Sequence, residues 1–263
     1  MKILFICNHR GGANVIYPIL EILDKKKILL ITTLLNKDYF KKYKKKIKVI
    51  KNKLNEDKIK KIFYKFKPQL VITGTSETID LNIGCFEQKF IKFSKKSNIY
   101  CISIMDFWSN YEIRFSTSIK REMDAIPDKI CVMNKFMKDE MISKGFKKNN
   151  LCVTGNPYLE YLSKKKLNKI GKLTKTERKK IDLEKKIKVF LFISQPIYER
   201  YKNKLGYTEY SVLKDFLNTV YLYKKNSTNK NIKIFIKLHP SDLKKKYDKL
   251  ISDYFFLDIK FLL

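Results

Sequence analysis

Residues that would narrow the function most sharply are scarce in this chain. Histidine occurs twice, tryptophan once, and only five of the 58 basic residues are arginine. Base readout and phosphate forks favour the arginine guanidinium. A lysine-dominated charge of +32, spread along the whole chain, therefore argues against nucleic acid as the partner and resembles an A/T-rich coding bias. Lysine clusters beside apolar helices suit a peripheral attraction to anionic membrane surfaces instead. The five cysteines (Cys7, Cys85, Cys101, Cys131 and Cys152) form no CxxC pair, and four fall in predicted strands. That pattern predicts reduced, buried thiols in a cytoplasmic protein and neither a zinc site nor a disulfide framework. No apolar run reaches the roughly 18–20 residues of a membrane span, and the start MKILFICNHRGG has too short an apolar core for a signal peptide. Neither a GxGxxG fingerprint nor an Asp-x-Asp pair is present, so no dinucleotide site and no required metal are expected.

What the chain does have is rhythm. Hydrophobic residues make up 44%, enough to build cores. Apolar runs predict strands at 2–7, 27–33, 46–51, 69–74, 98–104, 129–133 and 150–154. Helical patterns lie between them near 14–24, 37–44, 55–66, 81–96, 134–144 and 157–164. Strands apolar on both faces and alternating with helices imply a parallel sheet covered on both sides, an α/β fold. The stretch 151–162, LCVTGNPYLEYL, is one such unit: a strand, a Gly155 exit, an Asn156 cap and Pro157 in the first helical turn. Residues 163–187 read as a crossing linker. The rhythm resumes with strands at 188–195 and 232–240, helices at 208–225 and 241–251, and an apolar end, FFLDIKFLL. The expected division is 1–162, a linker at 163–187, and a second Rossmann-like half at 188–263.

Ligands of open α/β sheets bind beyond the carboxyl ends of the strands. After the first strand comes Asn8-His9-Arg10-Gly11-Gly12-Ala13-Asn14, where two glycines permit close backbone approach and His9 is one of the two histidines. After the fourth comes Thr73-Gly74-Thr75-Ser76-Glu77, which reads equally as a helix cap with Glu77 in the first turn. After the fifth comes Asp106-Phe107-Trp108, a carboxylate flanked by aromatics that suit a stacked sugar. In the second half, Ser194-Gln195 and His239-Pro240-Ser241 end strands, the latter a plausible phosphate clamp.

The segments PDKICVMNKFMKDEMISKGFKKNNLCVTGNPYLEYL (127–162) and KLHPSD (237–242) carry a resemblance. The first is similar to the end of the N-terminal half of GT-B-type glycosyltransferases, two Rossmann-like halves facing across a cleft. The second is similar to the His-Pro segment of bacterial sialyltransferases, capsule polymerases and CDP-glycerol-type transferases. The resemblance implies transfer of a sugar from a CMP-, UDP- or CDP-linked donor to a glycan or lipid-linked acceptor in surface-polysaccharide assembly. Within that reading the strand-end residues His9 or Asp106, with Glu77, are the candidates for catalysis. His239, Pro240, Ser241, Ser194 and Gln195 fall to the nucleotide, and Gly11, Gly12, Asn14 and Trp108 to the acceptor or its loop. The nucleotide sugar is substrate, and no cofactor is implied. UDP-GlcNAc 2-epimerases share the fold. Their "GDT" and "EAG" motifs would fall near Gly74-Thr75-Ser76 and Asp106-Phe107-Trp108, where this sequence departs, so epimerase ranks second. Only two or three strands follow the linker, so the second half is expected to be incomplete, either as a minimal variant or, as the apolar end favours, as a truncated gene product, with a non-catalytic remnant as a further reading. It is expected to expose Val189, Leu191, Ile234, Ile236 and the apolar tail.

Overall fold

The structure, a computed structural model, describes residues 1–23, 27–50, 55–77, 86–167, 187–239, 242–243 and 245–262. The chain divides into two compact units, Met1–Ile170 and Gly171–Leu263.

In the first unit the elements run β1 (Ile3–Cys7), α1 (Arg10–Ile22), β2 (Ile28–Thr33), β3 (Ile47–Ile50), α2 (Glu56–Phe66), β4 (Leu70–Thr73) and α3 (Phe86–Lys96). They continue with β5 (Cys101–Ile104), α4 (Tyr111–Arg114), β6 (Lys129–Val132), α5 (Lys135–Ser143), β7 (Leu151–Val153) and α6 (Pro157–Leu167). All seven strands pair in parallel in the order β3-β2-β1-β4-β5-β6-β7. The chain steps outward from β1 to β3 and then returns beside β1 with β4. That reversal puts the switch point between β1 and β4.

β1 is buried throughout because alternate side chains enter different cores. Leu4 and Ile6 join a cluster with Ile59, Phe63 and Phe90 from α2 and α3. Ile3, Phe5 and Cys7 join Val15, Ile16 and Leu20 from α1. α6 returns over α1, with the Tyr17 and Tyr161 rings 5.8 Å apart. The turn before α6 follows its sequence: Gly155 has φ +81°, and Asn156 Oδ1 accepts from Tyr158 N at 2.9 Å.

Several expectations need correction. α1 starts at Arg10 and not near residue 14, so Gly11, Gly12 and Asn14 lie in the helix and not in a loop before it. The helix expected at 37–44 is absent; 3-10 turns occupy Leu34–Asn36 and Lys41–Lys46, and Tyr43 has non-helical φ/ψ. The lysine run there has no apolar stripe to bury, only the anchors Phe40 and Tyr43. The helix expected at 81–96 covers 86–96, and 81–85 lie outside the described residues. Cys152 is exposed on the sheet's edge strand, unlike buried Cys7 and Cys101.

The second unit contains a three-stranded parallel sheet among its described residues: β8 (Lys188–Ile193), β9 (Ile232–Lys237) and β10 (Ile259–Leu262), ordered β10-β9-β8. Two helices, α7 (Ile197–Tyr201) and α8 (Glu209–Asn226), lie between β8 and β9, and the short α9 (Asp248–Ile251) precedes β10. Of the helix expected at 241–251, α9 is the described α-helical part. Leu213, Leu217 and Val220 of α8 pack on Ile234 and Ile236, which are fully buried, contrary to expectation. The exposed apolar stripe is Val189, Leu191 and Ile193 on the opposite face of β8.

Candidate functional site

The β1/β4 switch point is built on two glycines whose backbones meet. A Cβ on Gly74 would stand 2.9 Å from the Gly12 α-carbon, so α1 can begin directly against the exit of β4. His9 is the N-cap residue of α1 and is half-buried at the strand end. Gly11 lies under Asp106, and a Cβ there would sit 1.7 Å from Asp106 Oδ2.

Asp106 does not stand free in an aromatic loop. Its Oδ1 accepts from Arg114 Nη1 at 2.8 Å and from the Thr75 hydroxyl at 3.3 Å. Arg114 is buried, and it also donates to the Thr75 and Ser109 carbonyls and lies 3.5 Å from Glu77 Oε1. Glu77 in turn accepts from Asn110 Nδ2 at 3.0 Å. One guanidinium thus ties the loops after β4 and β5 together, as its planar fork allows and a lysine would not. Trp108 is exposed and edge-on to Phe107, with ring centroids 6.2 Å apart.

Glu87, in the first turn of α3, is completely buried at this crevice. Its Oε1 accepts the Asn8 amide at 2.9 Å, and the Ser76 hydroxyl donates to Oε2. Burial pushes its carboxyl above the usual range, opposed by the Ser76 and Asn8 hydrogen bonds and by the nearby His9. The structure therefore brings His9, Gly11, Gly12, Glu77 and Asp106 to one strand-end crevice and adds Glu87 and Arg114. Both additions left a faint signal. Glu87 shares the helical stripe of Phe90, Ile91 and Ser94, all buried, and Arg114 is one of few arginines in a lysine-rich chain.

In the second unit the strand ends are joined by a buried ion cluster. The Ser194 hydroxyl reaches Asp242 Oδ2 at 2.7 Å and Tyr247 OH at 2.5 Å, and Asp242 Oδ2 also accepts the His239 amide at 3.0 Å. Lys246 lies 2.8 Å from Asp242, 2.5 Å from Glu209 and 3.0 Å from Glu199. Burial is the largest single effect and would raise the Asp242 and Glu209 carboxyls, but their hydrogen bonds together outweigh it and both are held below their usual range. Those bonds come from Lys246, Ser194 and the His239 amide to Asp242, and from Lys246 and the Tyr198 amide to Glu209. The Lys246 ammonium is held above its own, its hydrogen bonds to these carboxylates outweighing the opposing effect of burial. His239 is half-buried and Gln195 exposed; Pro240 and Ser241 lie outside the described residues. Among the described residues, no group of three or more His, Cys, Asp or Glu is placed to hold a metal ion.

No family model matches the sequence, and no curated protein matches it. Solved structures do. UDP-GlcNAc 2-epimerase from Methanocaldococcus jannaschii is similar over 100% of this chain and 73% of its own, at 16% identity and a TM-score of 0.66. The Neisseria meningitidis UDP-GlcNAc 2-epimerase, bound to UDP-GlcNAc, gives 16% identity and 0.60 over 100% and 72% of the two chains. The enzyme from Rickettsia bellii gives 17% and 0.59 over 100% and 68%. At such identities the likeness is one of fold: the chain has the α/β architecture of GT-B-type proteins. No helix among the described residues is long and apolar enough to cross a membrane.

Proposed function

We propose that the protein transfers a sugar from a nucleotide-activated donor to an acceptor hydroxyl in surface-polysaccharide or glycan assembly. The observation that carries this reading is Glu87, fully buried at the switch point with the Asn8 amide on its Oε1 and with His9 near enough to act electrostatically on its carboxyl. A half-buried imidazole at a strand end with a buried carboxyl nearby is a one-base arrangement suited to an acceptor hydroxyl. His9 takes the hydroxyl proton as the oxygen bonds the anomeric carbon. The bond from that carbon to the phosphate oxygen breaks, and the nucleotide leaves with the electron pair. Glu87 stabilises the imidazolium, and the amides of Arg10, Gly11 and Gly12 at the start of α1 favour negative charge nearby. Asp106, engaged with Arg114, orients the acceptor and is the weaker candidate for the base. In the second unit the loop after β9, with His239, is the candidate partner of the donor phosphate. No step of this reading uses a metal or a resident cofactor.

A second reading, sugar 2-epimerase, is favoured by the neighbouring structures and by the presence of Glu77, Glu87 and Asp106 around one crevice. Incubation with UDP- and CMP-sugars in deuterated water, with and without glycan acceptors, separates the two. Nucleotide release that requires an acceptor supports transfer. Deuterium at C2 without acceptor supports epimerisation, and neither product ends both readings. Within the transfer reading, Glu87→Gln lowers kcat about a hundredfold or more with little change in KM.

A further inference from the structure

We infer that the outer face of α2 and α3 is a docking surface for an anionic phospholipid leaflet, an inference independent of which sugar reaction the crevice performs. A groove of about 770 Å³ runs along these helices, with Ile59 and Phe93 in its wall and Lys92, Lys96 and Thr117 beside them. The surrounding surface is strongly cationic. Lys58, Lys60, Lys61, Lys65, Lys92 and Lys96 are exposed, against Glu56 and Asp57 as the exposed acids of the two helices. Two of the lysines lean on carboxylates, Lys92 on Asp124 at 2.9 Å and Lys96 on Glu56 at 3.0 Å. Exposed pairs of this kind are weak enough for lipid phosphates to replace.

Apolar groups stand out from the same surface. Tyr64 on α2 is 81% exposed. The loop lining the groove is tied back by Asp124, which accepts the Thr117 amide at 2.7 Å, and its tip presents Ile119, 71% exposed, followed by exposed Lys120 and Arg121. Cations around an apolar slot and an outward isoleucine match phosphate headgroups above acyl chains. Nucleic acid matches less well: the cations are nearly all lysine, and apolar Ile119 has no counterpart on a phosphate backbone.

The full chain is tested by cosedimentation with phosphatidylcholine vesicles, with and without about one third phosphatidylglycerol, at about 0.1 M salt. The expected result is binding to the anionic vesicles only. Lys61→Glu/Lys92→Glu/Lys96→Glu weakens it at least about tenfold. The charge-matched control Lys204→Glu/Lys214→Glu/Lys225→Glu in the second unit stays within about twofold of the parent. Ile119→Ser alone, at an exposed position that leaves the fold intact, weakens it about threefold and keeps the test decisive if the triple variant does not fold. Equal losses in the two triple variants, or equal binding to neutral vesicles, overturn the proposal. So does single-stranded RNA that binds tighter than the vesicles and depends on the same lysines.

Discussion

The Asp106 carboxylate occupies the space where a side chain on Gly11 would begin. A Cβ at Gly11 would meet Oδ2 at 1.7 Å and Cγ at 2.9 Å. The glycine of the α1 turn is therefore required by a carboxylate 95 positions further along the chain, and not by its own backbone angles.

Gly11→Ala must push Asp106 away from Arg114 and Thr75. The expected cost is about 1–3 kcal/mol in urea unfolding, the usual range for overpacking. Asp106→Ala removes the obstacle, so the double variant costs less than the sum of the two single ones. Strict additivity would show that the two residues do not meet.

Arg114 holds two backbone carbonyls and two carboxylates from a buried position. Arg114→Met leaves Asp106 without its charge partner, and a loss of about 3–5 kcal/mol is expected. Arg114→Lys restores the charge but not the fork, and recovers only part of that loss. Full recovery by lysine, read in the same denaturant series, would reduce the fork to a point charge.

Glu87 makes a prediction in pH. Its folded carboxyl is raised above the ordinary 4.5, so above that pH the folded state binds more protons than the unfolded one. Its contribution is therefore greatest below about pH 4.5 and declines as pH rises toward the raised folded value. Glu87→Gln, neutral and of similar shape, lacks this decline. The stability of the parent relative to the variant falls as pH rises above 4.5 in guanidinium melts. A difference that is flat with pH would mean that Glu87 does not titrate as burial requires.

Lys246 predicts the opposite slope. Asp242 and Glu209 are held below their ordinary 3.8 and 4.5, so their stabilisation is present above those values and lost as pH falls through the lowered folded ones. Lys246→Met leaves both carboxylates buried without their cation, at a cost of about 3–5 kcal/mol near neutral pH. The penalty shrinks in acid, where the carboxylates protonate. A penalty unchanged by pH, followed in the unfolding of the second unit, would reassign it to lost packing of the lysine stem.

What the sequence determined by itself is local. β1 reads ILFIC, apolar at every position, and such a run is stable only between two covered faces. Asn55, Asn134 and Thr208 stand where their side chains accept from the first-turn amides, so α2, α5 and α8 begin where composition says they should. His9 and Asp106 were legible as strand-end residues for the same reason. Only the tertiary structure decided which of these ends meet. Glu87 reaches Asn8 across 79 positions because β4 returns beside β1, and a lysine-rich helix gives little warning that its one acid faces inward. Lys246, one lysine among many, is buried because three carboxylates from separate segments converge on it. The helix expected at 37–44 failed for a related reason: burial of Phe40 and Tyr43 outweighs the helical propensity of the lysines around them. Local pattern sets which segments are strands and helices, because that depends on neighbours three or four residues away. The charges that make the site depend on strand order, which no short window of sequence contains.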